Sequence, residues 1–201
     1  MSVTFPQATL HKGTPLHQAW LLYQIMNLLK IPKRVFFVRS MEQIPCPCCG
    51  SELKVIGSRR RKSVRDSGKV MVLIVRRLRC NDCNRIHHEL PDILVPYKRY
   101  DRDSIEAVLD GQQPLTVAAD DSTITRWRAW FQNLGNYFLG CLTSLSIRYS
   151  PKPVAVLSTL PKSVLRRIRH YVGDTPLWLA RVVRSVGNSN LWVHTRSAFM
   201  S

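Results

Sequence analysis

The hydrophobic positions in the middle of the chain fall into three short runs. Leu53 to Arg60 and Val70 to Arg79 are rich in Val, Ile and Leu, and Asp66 to Gly68 between them is a turn signal. A third run, Arg85 to Leu90, stops at Pro91. The pattern predicts a β-hairpin extended to a small three-stranded sheet. Such a sheet buries too little apolar area to be stable without further support.

A helical period follows this sheet. Ile105, Val108 and Leu109 share one face, and Gly111 ends the segment. A second helix is predicted to begin at Asp121-Ser122 and to run to about Leu134. Its apolar face consists of Ile124, Trp127, Phe131 and Leu134. Between the two helices, Leu115 to Ala119 supplies little more than one turn of a further helix.

Both ends of the chain add helices. Residues 15–30 form an apolar helix candidate, and Val35 to Val38 is predicted to be a strand. Near the other end, Ser163 to Val172 and Pro176 to Val186 are predicted helices, with Pro in the first turn of the second and Gly187 beyond its end. The fold class is therefore α+β.

Four regions follow from these elements. They are an N-terminal helix and strand (1–40), a three-stranded sheet (41–99), a region resembling a helix-turn-helix (100–135) and basic C-terminal helices (136–201).

The cysteines supply the strongest chemical signal. Two Cys-x2-Cys pairs, Cys46 with Cys49 and Cys80 with Cys83, flank the predicted hairpin. Zn(II) prefers four tetrahedral donors, and each such turn delivers two thiolates, so the pattern predicts a zinc ribbon in which the metal holds the sheet together. Cys48 occupies the variable position of its loop. His87 and His88 follow Cys83 closely and stay open as alternative ligands. A set of buried thiols that binds no metal is the alternative explanation for the four cysteines.

Charge indicates the class of partner. The chain has 201 residues, 30 Lys plus Arg against 13 Asp plus Glu and a net charge of +17, a balance that favours nucleic acid. The excess lies before residue 100 and after residue 135, with an acidic piece between. Phosphate contacts are predicted for the hairpin cations Arg59, Arg60, Arg61, Lys62, Arg76, Arg77 and Arg79. Solvated charge is the alternative explanation for such runs.

The helix that begins near Ser122 is the candidate for reading base edges. Early residues of a recognition helix reach the major groove, and Arg, Thr and Ser are suitable readers there. The candidates are Ser122, Thr123, Thr125, Arg126 and Arg128. As the alternative, the acidic residues nearby would face a basic protein partner. They are Asp101, Asp103, Glu106, Asp110, Asp120 and Asp121.

Several other classes of protein are not expected. No run approaches the 18 apolar residues of a membrane span, no secretory signal is visible, and a cytoplasmic location is predicted. After Asp121 only Asp174 is acidic, so a three-carboxylate nuclease centre is not expected. The sequence also lacks the two histidines flanking an apolar residue that one class of nucleases requires. It contains no Gly-rich phosphate-binding loop either. Catalysis by the chain itself is not predicted.

The motifs resemble a known group of proteins. Cys46-Pro47-x-Cys49-Gly50-Ser51, a basic hairpin and the run from Arg76 to Pro91 look like an uncharacterised bacterial family with a transposase-like zinc ribbon. Residues 45–131 are similar to the zinc-ribbon and helix-turn-helix front end of insertion-sequence transposases. The resemblance implies zinc binding through the four paired cysteines and DNA recognition by the helix from Ser122.

The sequence thus predicts a zinc-dependent protein that binds duplex DNA through phosphates and the major groove, in a mobile element or in transcription. Two alternatives stay open: an accessory subunit whose ribbon binds a transposase or polymerase, and an RNA-binding ribbon. The oligomeric state and the target site are not predicted.

Overall fold

The computed structural model describes residues 35–40, 43–149, 161–192 and the strand at 198–200. The helix predicted for residues 15–30 lies outside this part of the chain. Within it, five strands form one mixed sheet, and four helices accompany the sheet. The fold is α+β, as predicted. The strands are β1 (Val35–Phe37), β2 (Leu53–Val64), β3 (Val70–Cys80), β4 (Ile86–Leu90) and β5 (Ala198–Met200).

Strand β3 lies at the centre of the sheet. Along one side it pairs antiparallel with β2, from Leu53 opposite Cys80 to Val64 opposite Val70. Along its other side, its first half pairs parallel with β1 and its second half antiparallel with β4. Strand β5 adds to the free side of β4 in parallel. The predicted hairpin and third strand are confirmed.

The hairpin closes where the turn residues predicted it. The backbone N–H of Arg65 donates to the carbonyl of Lys69, and Gly68 donates back to Arg65, at 3.0 and 2.9 Å. Gly68 has a φ of 75°, which a side chain rarely allows. The tip also contacts a later part of the chain, because Ala118 N–H donates to the carbonyl of Asp66 at 2.7 Å.

The helices are α1 (Arg102–Asp110), α2 (Asp121–Tyr149), α3 (Val164–Val172) and α4 (Trp178–Asn188). Helix α1 begins at the cap Asp101, whose carboxylate accepts the N–H of Ser104 at 3.0 Å. It ends at Gly111, which has a left-handed φ of 68°. The end at Gly111 agrees with the sequence pattern.

Helix α2 is much longer than predicted. It continues through Gly135 to Tyr149, for 29 residues, whereas the sequence pattern ended it near Leu134. A Cβ on Gly135 would stand 3.1 Å from Cγ1 of Val164, so α3 packs against α2 at this position. The glycine serves helix packing and does not end the helix.

The connection between α1 and α2 is not helical. Leu115 to Ala119 contains neither helix nor strand, and residues 111–120 separate the two helices. A helix-turn-helix joins its helices by a turn of about three or four residues, so this arrangement is not confirmed. Asp120 caps α2, since its carboxylate accepts the N–H of Thr123 at 2.6 Å.

Helix α4 begins two residues later than predicted. Its N-cap is Leu177, and Pro176 lies before it; Gly187 lies inside the helix, and Ser189 follows its end. The first N–H groups of α4 are satisfied from α1: the buried Glu106 carboxylate accepts from Leu177 at 2.8 Å and from Leu179 at 3.2 Å. A side chain 71 residues away replaces the local cap.

One core joins the sheet to the helices. Leu73 and Val75 of β3, Ile105 of α1 and Trp127 of α2 all belong to it, together with Trp178 at the start of α4. Among the described residues, no helix is long and apolar enough to cross a membrane.

Candidate functional site

Two cysteine loops meet at the end of the sheet. The first precedes β2 and the second connects β3 with β4. Gly50 and Asn84 follow the second cysteine of each loop with φ values of 80° and 56°, which glycine and asparagine tolerate better than other residues. Backbone N–H groups turn into each loop: Gly50 donates to the carbonyl of Cys46 at 2.8 Å, and Cys83 donates to Sγ of Cys80 at 3.4 Å.

These loops bring the four predicted ligands together. The Sγ atoms of Cys46, Cys49, Cys80 and Cys83 all lie within 4.8 Å of one another. Cys46 is 3.6 Å from Cys83, and Cys49 is 3.4 Å from Cys80. Four thiolates at about 2.3 Å from a central zinc would stand about 3.8 Å apart, so these spacings fit a tetrahedral ion. The quartet could therefore hold a metal ion.

The electrostatics of the quartet also favour a cation. Burial raises the pKa of the Cys46 and Cys80 thiols. Cys49 is exposed, and hydrogen bonds from Ser51 lower its pKa to about 6. A buried thiolate is costly without a positive partner, and a bound metal supplies that charge.

A second quartet shares two of these sulfurs. Cys46, Cys48, Cys83 and His87 also place their ligand atoms within 4.8 Å of one another. Nε2 of the buried His87 lies 3.4 Å from Sγ of Cys46. Burial lowers the pKa of His87, with Arg85 and His88 adding to the effect, which favours the neutral imidazole that ligates metals. Arg85 donates to Sγ of Cys48 at 3.1 Å. Cys48 and His87 are thus second candidates beside the predicted four.

Part of the cationic hairpin is exposed, including Lys54, Arg59 and Arg79, whereas Arg77 is half-buried. Residues opposite each other in an antiparallel pair point to the same face, and Lys54 stands opposite Arg79, Arg59 opposite Val75, and Arg77 opposite Gly57. Strand alternation puts these cations on one side, which we call the basic face: Lys54, Arg59, Arg77 and Arg79. Arg60 and Lys62 are exposed and alternate to the other side.

Two of the predicted phosphate contacts also make contacts within the fold. The Nε and Nη2 atoms of Arg76 each donate to a carboxylate oxygen of the buried Glu89, both at 2.5 Å. Arg61 donates to the carbonyls of Val95 and Lys98 at 3.4 and 3.3 Å, and burial lowers its pKa. These two arginines hold the strands to the segments that pack on them.

The start of α2 is organised by its own polar side chains. Arg126 donates to the carbonyl and hydroxyl of Ser122 and to the hydroxyl of Thr123, at 3.0 to 3.1 Å. Thr125 and Arg128 are exposed, whereas Ile124 and Trp127 are buried as predicted. Of the candidate base readers, Ser122, Thr125, Arg126 and Arg128 are thus exposed at the start of the helix, and Thr123 is half-buried.

Three carboxylates of the acidic region are engaged inside the protein, whereas Asp103, Asp120 and Asp121 are exposed. Asp101 and Asp120 cap helices, and Glu106 binds the start of α4. Asp110 accepts from Trp178 Nε1 and pairs with Arg169 at 2.6 Å. Asp103 pairs with Arg102 at 2.5 Å. The three exposed carboxylates leave a smaller acidic surface than the protein-partner alternative expected.

The sequence pattern did not single out the segment after β4 as a site. Residues 96–99 and β2 line a groove of about 440 Å³ beside the basic face. The available signal was an aromatic residue followed by two cations, Tyr97-Lys98-Arg99.

Comparison with known proteins gives little functional information. No curated protein and no solved structure matches the chain. Residues 46–127, which run from the first cysteine loop into α2, match the model of a domain of unknown function, DUF6431.

Proposed function

We propose that the chain is a zinc-dependent DNA-binding protein that acts in a mobile element or in transcription without catalysis of its own. One observation carries the proposal: a thiolate quartet suited to a tetrahedral metal lies at the end of a sheet whose basic face presents Lys54, Arg59, Arg77 and Arg79. Together these features make a zinc ribbon that presents cations from a fixed base.

The contact with duplex DNA has two parts. Exposed arginines on strands can contact a phosphate backbone, because such contacts need only positive charge. Unlike side chains of a helix in the major groove, they do not reach base edges. The exposed start of α2 supplies the candidate readers Thr125, Arg126 and Arg128. The resemblance of residues 45–131 to the front end of insertion-sequence transposases supports the same assignment.

The accessory-subunit alternative has less support, because three of the six carboxylates expected to face a basic partner, Asp101, Glu106 and Asp110, are engaged within the fold. A ribbon that binds RNA shares the cationic surface, and comparison of duplex DNA with duplex RNA in the binding assay separates the two.

The salt dependence of duplex binding tests the proposal. Each phosphate contact contributes about 0.9 to the slope of log affinity against log salt, so Arg77→Ala with Arg79→Ala should flatten the slope by about 2. The matched control is Lys162→Ala with Arg166→Ala, which removes the same charge from exposed positions of α3 and its approach. An equal effect of both pairs would mean general charge attraction, and the absence of any duplex binding by the zinc-loaded protein would reject the proposal.

A further inference from the structure

The groove between β2 and residues 96–99 is strongly cationic. Over half of its lining side chains carry positive charge, and no carboxylate is among the described residues that line it. Its floor contains Val75, Leu90 and His88. The cations are Arg59, Arg60, Arg61, Lys62, Lys98 and Arg99. This composition favours a polyanion over a neutral or cationic ligand.

The two walls of the groove are fixed by internal contacts. Val64 N–H donates to the carbonyl of Arg99 at 2.9 Å and joins the walls at one end. Arg61 holds the carbonyls of Val95 and Lys98. The Lys98 ammonium lies 4.3 Å from the centre of the Trp130 ring on α2. A preformed groove spares a ligand the ordering cost of assembling it, and Arg59, Arg60, Lys62 and Arg99 stay exposed for binding.

An aromatic ring stands at the edge of this groove. Tyr97 is 60% exposed, and its backbone has a φ of 63°, in the left-handed region that bulky residues rarely adopt. Burial in the core therefore does not explain the position. Residues held in uncommon backbone conformations concentrate at binding sites, where the conformation is part of the function.

We infer that this groove binds a single-stranded segment of DNA, with the cations along the phosphates and the Tyr97 ring stacked on an unpaired base. The inference rests on the proposed function and specifies that this groove binds DNA as a single strand. Positive grooves lined by an aromatic side chain bind single strands, since a ring can stack on a base only after the base has left its duplex. Because Lys98 contacts Trp130, one turn after Arg126 on α2, the groove adjoins the helix proposed to contact the duplex.

The test compares Tyr97→Ala, Tyr97→Phe and the unchanged protein, all zinc-loaded, in binding to an oligothymidylate of about ten nucleotides. Alanine keeps the Cβ and hence the backbone cost at this position, so its effect reports loss of the ring. We expect Tyr97→Ala to weaken single-strand binding about tenfold, and Tyr97→Phe to bind like the unchanged protein. Duplex affinity should be the same for all three.

The control is Tyr149→Ala, an exposed tyrosine at the end of α2 and outside the groove, which should leave both affinities unchanged. No loss with Tyr97→Ala, or equal losses for single strand and duplex, would overturn the inference while the Arg77 and Arg79 test of duplex binding still stands. Tighter binding of the matching oligouridylate would overturn the assignment to DNA. Failure of the unchanged protein to bind any nucleic acid would remove the proposed function itself.

Discussion

At the scale of single residues, one type of side chain serves two opposite purposes in the same hairpin. Arg76 and Arg77 are neighbours on β3 and therefore point to opposite faces. Arg77 lies on the basic face, whereas Arg76 neutralises Glu89, whose side chain is only 2% exposed. The backbone N–H of Ser40 also donates to Glu89, at 3.0 Å. Neighbouring cations in the sequence thus differ in function because only one of them faces a buried carboxylate.

This difference predicts the effect of removing each arginine. Arg76→Ala leaves a buried carboxylate without its partner and should lower the free energy of unfolding by about 3 kcal/mol. Arg77→Ala should change it by less than about 0.5 kcal/mol. Urea denaturation of both variants, each saturated with zinc, measures the two values.

A double variant separates the loss of the ion pair from other damage. Arg76→Met combined with Glu89→Leu removes both charges and should recover most of the stability, because an apolar pair of similar volume replaces a buried ion pair well. Equal stability losses in the Arg76 and Arg77 single variants would contradict this role of Arg76.

At the scale of elements, two loops from different strands depend on one another. The loop before β2 and the loop after β3 each contribute two thiols, and the quartet joins them at the end of the hairpin. The opposite end of the hairpin is held by the Asp66 to Gly68 turn and by residue 118. A metal bound by the quartet would therefore stabilise this end of the sheet.

Substitutions in the two loops test which sulfurs hold the metal. Cys80→Ser should remove zinc from the purified protein and unfold the end of the sheet, since Cys80 belongs to the predicted quartet alone. Cys48→Ser should retain about one zinc per chain. Metal analysis by mass spectrometry gives both values.

Cys48 belongs to the second quartet, with His87, so the same measurement decides between the two sets. Equal zinc loss in Cys48→Ser and Cys80→Ser would show that both quartets contribute ligands. His87→Ala distinguishes this outcome further, because it should lose metal only if the second quartet is used.

At the scale of the whole molecule, acidic residues of α1 connect the middle of the chain to its last helices. Glu106 binds the start of α4, and Asp110 binds Trp178 and Arg169. After β4, the carboxylate of Asp92 pairs with Arg184 of α4. The acidic region thus anchors the basic C-terminal helices, and the sheet and the four helices share one core.

The buried Glu106 should make stability depend on pH. Burial raises its pKa above the usual 4.5, although the N–H groups of Leu179 and Leu177 act in the opposite direction. The folded state consequently holds this proton more tightly than the unfolded state, and its contribution to stability is lost as pH rises through the folded pKa. Glu106→Gln does not titrate, so the variant should gain stability relative to the unchanged protein as the pH rises above about 4.5, the usual pKa of the carboxyl.

Denaturation at several pH values checks this slope. Gln offers one acceptor oxygen where Glu offers two, so a constant offset between the proteins is expected, and only its change with pH is diagnostic. Asp174→Asn, at a carboxylate that is 77% exposed, is the control. A stability difference for Glu106→Gln that is flat across this range would contradict the prediction.

The amino-acid sequence alone determined the features that depend on a few neighbouring residues. The cysteine spacing predicted the quartet, the turn residues predicted the hairpin, and Gly111 predicted the end of α1. Local chemistry decides each of these features, because a Cys-x2-Cys loop, a tight turn and a helix cap each involve only a few consecutive residues.

Only the tertiary structure decided the features that join distant residues. Gly135 resembles a helix end until α3 is seen packed against it, and Pro176 resembles a helix start although Glu106 provides the cap. Which arginines are free likewise depends on the burial of Glu89 and on the segment that covers Arg61. Periodicity along the chain carries no information about such contacts, since they form between residues tens of positions apart when the core packs.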